Sequence, residues 1–142
     1  MRKNRKKKKL SYHDLRCIVI LSSNENENED RAKKKEDAQR KYIYEYADAH
    51  DLIPMVELRR GIMGQAVMNS MYDRAISMMQ SGRAEAILLS NMASVSRDTF
   101  DAYTKVGKVA GSGFRVVTVD EGELKLDLYK GDEREVRQNA GA

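Results

Sequence analysis

An α/β fold is predicted for this chain: a flavodoxin-like three-layer sandwich, with a mostly parallel sheet of strand order 2-1-3-4 plus an edge strand. Three observations predict it. Short apolar runs alternate with longer amphipathic stretches from residue 16 onward, the pattern of parallel strands joined by covering helices. The run at residues 17–21 (CIVIL) is continuously apolar and β-branched, which suits a central strand buried on both faces. Pro54 interrupts the next apolar run; a proline cannot donate to a ladder, so that strand belongs at the sheet edge.

The elements follow in order. After the first strand, Ser22, Ser23 and Asn24 open a low-complexity stretch (NENENE) ending at Glu29. Residues 30–50 then place Gln39, Tyr42, Ile43, Tyr46 and His50 at spacings of three and four, an amphipathic helix with these residues inward. Its outer face carries Lys33/Asp37, Glu36/Arg40, Asp37/Lys41 and Lys41/Glu45 at i,i+4, pairs that add about 0.2–0.5 kcal/mol each and read as a solvated face. Residues 52–58 form the second strand. Val67, Met68, Met71, Tyr72, Ala75, Ile76 and Met79 recur at helical spacing, a core stripe rich in adaptable methionine, and Ser81 and Gly82 stop that helix. Strand three is residues 86–89. A polar turn over residues 90–96 leads to a third helix with Ser96 as N-cap. That helix turns Phe100, Tyr103, Val106 or Gly107, and Ala110 inward and ends at Gly111-Ser112-Gly113. Strand four is residues 115–119. Leu124, Leu126 and Leu128 alternate over residues 124–129, as in an antiparallel or edge strand.

The 142 residues fit one compact domain and exclude a second full-sized one. Residues 1–15 read as a basic disordered arm, 16–130 as the α/β domain and 131–142 as a short tail. The arm distorts the charge balance. Arg2, Lys3, Arg5, Lys6, Lys7, Lys8 and Lys9 sit there without one acidic residue, so the net +4 of the chain becomes −3 for the remainder. A broad basic face on the domain is therefore not implied, whereas the arm is a candidate contact for nucleic-acid phosphates, with a salt slope near −0.9 per duplex phosphate neutralised. One cysteine and two distant histidines exclude an internal disulfide and a multi-cysteine zinc site. Cys17 reads as a small core hydrophobe, and no metal site or cofactor is implied. The longest early apolar run is far shorter than the roughly 20 residues of a membrane span, so a soluble, cytoplasmic protein with no membrane contact is expected.

In a sheet of this order, ligands bind at the carboxyl ends of the strands where the order reverses, here between strands one and three. Ser22-Ser23-Asn24 and residues 90–97 converge there. Both segments are rich in side-chain hydroxyl and amide groups, and Arg97 stands where a helix begins, which suits a phosphate-like ligand.

These residues resemble the catalytic domain of serine recombinases, the resolvase and invertase family. The similarity runs through strand one into Leu21-Ser22-Ser23-Asn24, then Gln39 with Tyr46-Ala47, and Ile62-Met63-Gly64 at the family's Ile-Ser-Gly turn. It continues through residues 86–89, Ser94-Val95-Ser96-Arg97-Asp98 and Asp120-Glu121-Gly122, covering roughly residues 16–125. The resemblance implies a resolvase-like fold and a metal-free chemistry in which a serine hydroxyl attacks a DNA phosphodiester to form a phosphoserine link. Arginines stabilise the charge. It places Ser22, Ser23, Gln39, Arg97 and Asp98 at the catalytic positions.

Departures from the family pattern imply a vestigial or low-activity site. The family's arginine two residues before the nucleophile falls on Ile20, and the first arginine of the third motif falls on Ser94. Met63 replaces a serine, and an arginine-proline pair is missing over residues 65–69. Losing one preorganised donor costs roughly 100- to 1000-fold in rate. Glu25, Glu27, Glu29 and Asp30 follow the serines, and a carboxylate about 4 Å from a phosphate adds about 1–4 kcal/mol of repulsion. Residues 130–142 offer barely two helical turns where the family continues into a dimerisation helix and a DNA-reading domain.

The expected function is a catalytically impaired recombinase-fold accessory linked to DNA recombination or a mobile element. Its partners would be DNA, a full-length recombinase or a second copy of the chain. Active strand cleavage through Ser22 is the first alternative. A flavodoxin-like signalling or interaction domain is the second, with Glu25, Glu27 and Asp30 as Mg²⁺ ligands, although Ser90-Asn91 stand where a phosphorylatable aspartate would be needed.

Overall fold

A computed structural model describes residues 14–125. The chain runs β1 (Arg16–Leu21), α1 (Glu29–Ala49), β2 (Ile53–Arg59), α2 (Gln65–Gln80), β3 (Ala86–Leu89), a 3-10 turn (Met92–Ser94), α3 (Thr99–Gly111), β4 (Arg115–Thr118) and β5 (Gly122–Leu124). The sheet order is β2-β1-β3-β4-β5, parallel through β4 and antiparallel at β5. β1 is central and its residues 17–21 are buried, as a strand covered on both faces requires. β2 lies at the edge, where the missing N–H of Pro54 costs least. The register there skips Met55, pairing Cys17 with Pro54 and Ile18 with Val56.

Period-two alternation divides the core. Ile18, Ile20, Ile87, Leu89 and Val116 face α2 and α3, packing on Met68, Tyr72, Met79, Val106 and Val109. Cys17, Val19, Leu21, Leu88 and Val117 face α1, packing on Ile43 and Ala47. Burial pushes the Cys17 thiol up to about 12, so it packs as an inert hydrophobe. Gly82 and Gly113 follow the ends of α2 and α3 at φ +87° and +86°, a left-handed conformation that glycine adopts without strain.

Three sequence expectations are corrected. In α1 the buried set is Ala32, Glu36, Ile43 and Ala47, so the inward face is rotated. Tyr42 is 47% exposed, and Glu36, expected on the solvated face opposite Arg40, is 2% exposed. The Glu36 carboxylate accepts the Gly61 N–H at 2.7 Å, and Arg40 pairs with Glu57 at 2.7 Å. In α3, Phe100 and Tyr103 are exposed at 79% and 59%, and Ala110 is exposed too. The stripe falls one residue earlier, on Ala102, Lys105, Val106 and Val109. Lys105 makes this possible by burying its stem and giving its ammonium to Asp101 at 2.7 Å and Asn69 at 2.8 Å. The N-cap of α3 is Asp98, whose carboxylate accepts the Asp101 N–H at 2.8 Å, and not Ser96. The last strand closes at Leu124; residues 126–129 of the expected strand, the seven basic residues of the arm and the 131–142 tail lie outside the described residues.

Candidate functional site

Parallel pairing brings the carboxyl ends of β1, β2 and β3 to one rim of the sheet, and the three loops that leave them meet there. Ser22 is the first residue after β1 and is fully buried. Its hydroxyl donates to the Ser94 carbonyl at 2.5 Å and accepts from Arg60 Nη1 at 3.1 Å. Gln39 clamps the same residue through the main chain, accepting the Ser22 N–H at 2.9 Å and donating to its carbonyl. Among the expected site residues, Ser22 and Gln39 are therefore joined directly. Gln39 acts on the backbone and not on the hydroxyl.

Ser23 is on the other side of the sheet. With Lys35, Gln39, Tyr42, Ser90 and Asn91 it lines an open cavity of about 510 Å³ under α1. Close to it, Asp120 accepts from Tyr42 Oη at 2.5 Å and Asn91 Nδ2 at 2.9 Å. These bonds, Tyr42 first, hold the Asp120 carboxyl below its ordinary range.

A second cavity of about 510 Å³ opens on the α2/α3 side, lined by Asn24, Gln65, Ser96, Arg97, Asp98 and Thr99 among others. Arg97 is exposed, and its backbone N–H donates to Asp101 at 3.1 Å. No hydrogen bond joins its guanidinium to Ser22. Asp98 lines the same space but its carboxylate caps α3. The five expected catalytic residues thus divide into a bonded pair, buried Ser22 with half-buried Gln39, a serine on the α1 side, and Arg97 with Asp98 in the α2/α3 cavity.

Sequence reasoning missed Arg60. It is 7% exposed and donates from Nε to the Met63 carbonyl at 2.8 Å and from Nη1 to Ser22 Oγ and to Asn24 Oδ1 at 3.0 Å. Asn24 sits at φ +65°, a left-handed residue for which asparagine is among the better tolerated side chains, and its Nδ2 reaches the Ala93 carbonyl at 3.0 Å. Burial draws the Arg60 guanidinium below its ordinary range while the charge of Glu36 opposes this. Glu36 is itself raised by burial, against the Gly61 N–H and the charge of Arg59. The predicted order puts the end of strand two beside the end of strand one, but with strand two read as residues 52–58 it does not distinguish Arg60 from Arg59.

The acidic loop does not form a cation site. Glu25 accepts from the Glu27 and Asn28 N–H groups and pairs with Arg31 and Lys35, each near 3.5 Å. Glu29 and Asp30 lie in the first turn of α1, where they complement its dipole. No three His, Cys, Asp or Glu side chains converge among the described residues. None of the described helices is long and apolar enough to cross a membrane.

No protein-family model matches the chain, and no curated protein matches it. Solved structures do. A resolvase family site-specific recombinase from Streptococcus pneumoniae superposes with a TM-score of 0.65 at 14% identity, over 89% of this chain and 91% of that one. The N-terminal catalytic domain of TP901-1 integrase gives 0.65 at 13% identity, over 89% and 99%. The fold is that of serine recombinase catalytic domains. The C-terminal catalytic domain of ISC1926 TnpA, an IS607-like serine recombinase, agrees at a TM-score of 0.58 and 12% identity, over 86% and 78%. In this fold Ser22 directly follows the central strand, and Arg60, which directly follows the edge strand, reaches it.

Proposed function

We propose that this protein acts in DNA recombination as a recombinase-fold accessory that binds DNA or a partner recombinase without cutting DNA through Ser22. The observation that carries the reading is the closure of the Ser22 hydroxyl. It has no exposed surface, its proton is directed at the Ser94 carbonyl, and Arg60 covers its acceptor side. A nucleophile must approach phosphorus to about 3–3.5 Å in line with the leaving oxygen, and a hydroxyl held between two internal partners does not offer that approach. The absence of arginine at Ile20 and Ser94 supports the same reading, because those positions would supply charge at a phosphodiester. Arg2, Lys3, Arg5, Lys6, Lys7, Lys8 and Lys9 are the proposed phosphate contacts of the arm.

The test is to incubate the full chain with labelled duplex DNA and resolve the products on a denaturing gel. The expected result is salt-sensitive binding in solution and no covalent protein–DNA species. An adduct that disappears in Ser22→Ala and persists in Ser23→Ala would overturn the proposal in favour of strand cleavage.

A further inference from the structure

Arg60 is a buried cation with no anion in contact among the described residues. Its side-chain hydrogen bonds go to neutral oxygens, the Met63 carbonyl, Ser22 Oγ and Asn24 Oδ1. The carboxylate whose charge reaches it, Glu36, makes its own contacts elsewhere, accepting from the Gly61 N–H and facing Arg59 at 3.9 Å. Buried charges are ordinarily paired, because an unpaired one loses its hydration without compensation. The second terminal nitrogen, Nη2, makes no hydrogen bond among the described residues, yet it is not among the atoms sealed from solvent. The guanidinium is thus fixed through two of its nitrogens and unoccupied at the third.

We infer that Arg60 anchors a phosphate-class oxyanion beside Ser22, at the carboxyl ends of β1 and β2; the inference rests on the function proposed above only for the source of that oxyanion. A planar guanidinium held by Nε and Nη1 presents Nη2 in a fixed direction, and the charge-assisted bonds it offers are about twice as strong as neutral ones. Arg60 would thereby supply, from the neighbouring strand, one of the positive charges that Ile20 and Ser94 do not.

The experiment titrates the full-length, nitrogen-15-labelled protein with inorganic phosphate at fixed ionic strength and follows the arginine side-chain resonances. The expected result is a saturable shift of the Arg60 Nε–H signal. Arg60→Gln should bind phosphate roughly 10- to 100-fold more weakly by calorimetry, the loss of one charge-assisted bond. Arg60→Lys should retain part of the affinity, and Arg83→Ala, at the opposite end of the sheet, all of it. Because the wild-type resonance reports by itself, a variant that fails to fold does not remove the test. An unmoved Arg60 signal, or phosphate binding unchanged in Arg60→Gln, overturns the inference and leaves the DNA gel result standing. A single-stranded oligonucleotide then distinguishes the sources. If it displaces phosphate from Arg60, the oxyanion is a nucleic-acid backbone. If phosphate binds and the oligonucleotide never displaces it, the Arg60 site holds for free phosphate and the DNA reading fails at this position.

Discussion

Ser22→Ala separates a structural hydroxyl from a nucleophile held in reserve. The substitution removes the donor to the Ser94 carbonyl and one of two acceptors for Arg60 Nη1, in a place where the residue has no exposed surface. A buried carbonyl left without its partner costs about 1–3 kcal/mol, while Arg60 keeps Asn24 and adds less. A loss near 2 kcal/mol is expected. With a urea dependence of about 1–2 kcal/mol per molar for a domain of this size, the unfolding midpoint should fall by roughly 1–2 M with the slope unchanged. Ser23→Ala, at a half-exposed position whose hydroxyl only accepts the Glu25 N–H at 3.3 Å, should stay within about 0.5 kcal/mol. The measurement is equilibrium urea unfolding followed by circular dichroism. A Ser22→Ala protein as stable as the wild type would refute the reasoning, because the hydroxyl would then not be part of the fold's internal bonding.

Other expectations follow from the same contacts. Asp101→Ala strands the Lys105 ammonium, whose side chain is 6% exposed, and should cost about 2–4 kcal/mol by the same unfolding assay, somewhat below a fully broken buried pair because Asn69 remains. The Lys105 hydrogen bond, first among its causes, lowers the Asp101 carboxyl, so its contribution is present above the ordinary aspartate range near 3.9 and is lost as pH falls through the lower folded value. Glu36 has the opposite sign: burial raises it, so its contribution is present below about 4.3 and is lost as pH rises through the raised value. Glu36→Gln keeps an acceptor for the Gly61 N–H and should gain on the wild type as pH rises, ending between equal and about 1 kcal/mol more stable at pH 7; a large loss there would show that the charge itself holds the loop. Phe100→Ser should change stability by no more than about 0.5 kcal/mol, since the ring is 79% exposed.

The layer architecture was legible because its signals are local. CIVIL at residues 17–21 suits a doubly covered strand, and Pro54 suits an edge. The parallel order then follows from right-handed crossovers. The helix faces were harder. Gln39, Tyr42 and Ile43 match an inward stripe as well as Ala32, Glu36 and Ile43 do, unless a glutamate is allowed inside, and only the loop at Gly61 permits that. Lys105 misleads in the same way, since its stem is apolar and its charge is met by Asp101 four residues earlier in the helix and by Asn69 on another. At the site, Ser22 and Gln39 could be named from the sequence, whereas Arg60 could not be weighed until its distance to Ser22, 38 residues away in sequence, was known.

Magnitudes also decide which departure from an active recombinase site matters most. Ser22 and Ser23 leave the sheet on opposite faces, one toward Arg60 and Ser94 and the other toward the cavity under α1, so the two hydroxyls cannot serve one centre without a change of backbone. Turning Ser22 outward alone would cost about the 2 kcal/mol that its bonds contribute, which leaves a few per cent of molecules open and slows a reaction by roughly 30-fold. Each missing preorganised charge removes about 100- to 1000-fold. On the function proposed above, closure is thus the smaller barrier and the arginine deficit the larger. An oxyanion on the free Nη2 of Arg60 would leave the Nη1 bond to Ser22 in place, and so would reduce the larger barrier by one charge without lowering the smaller.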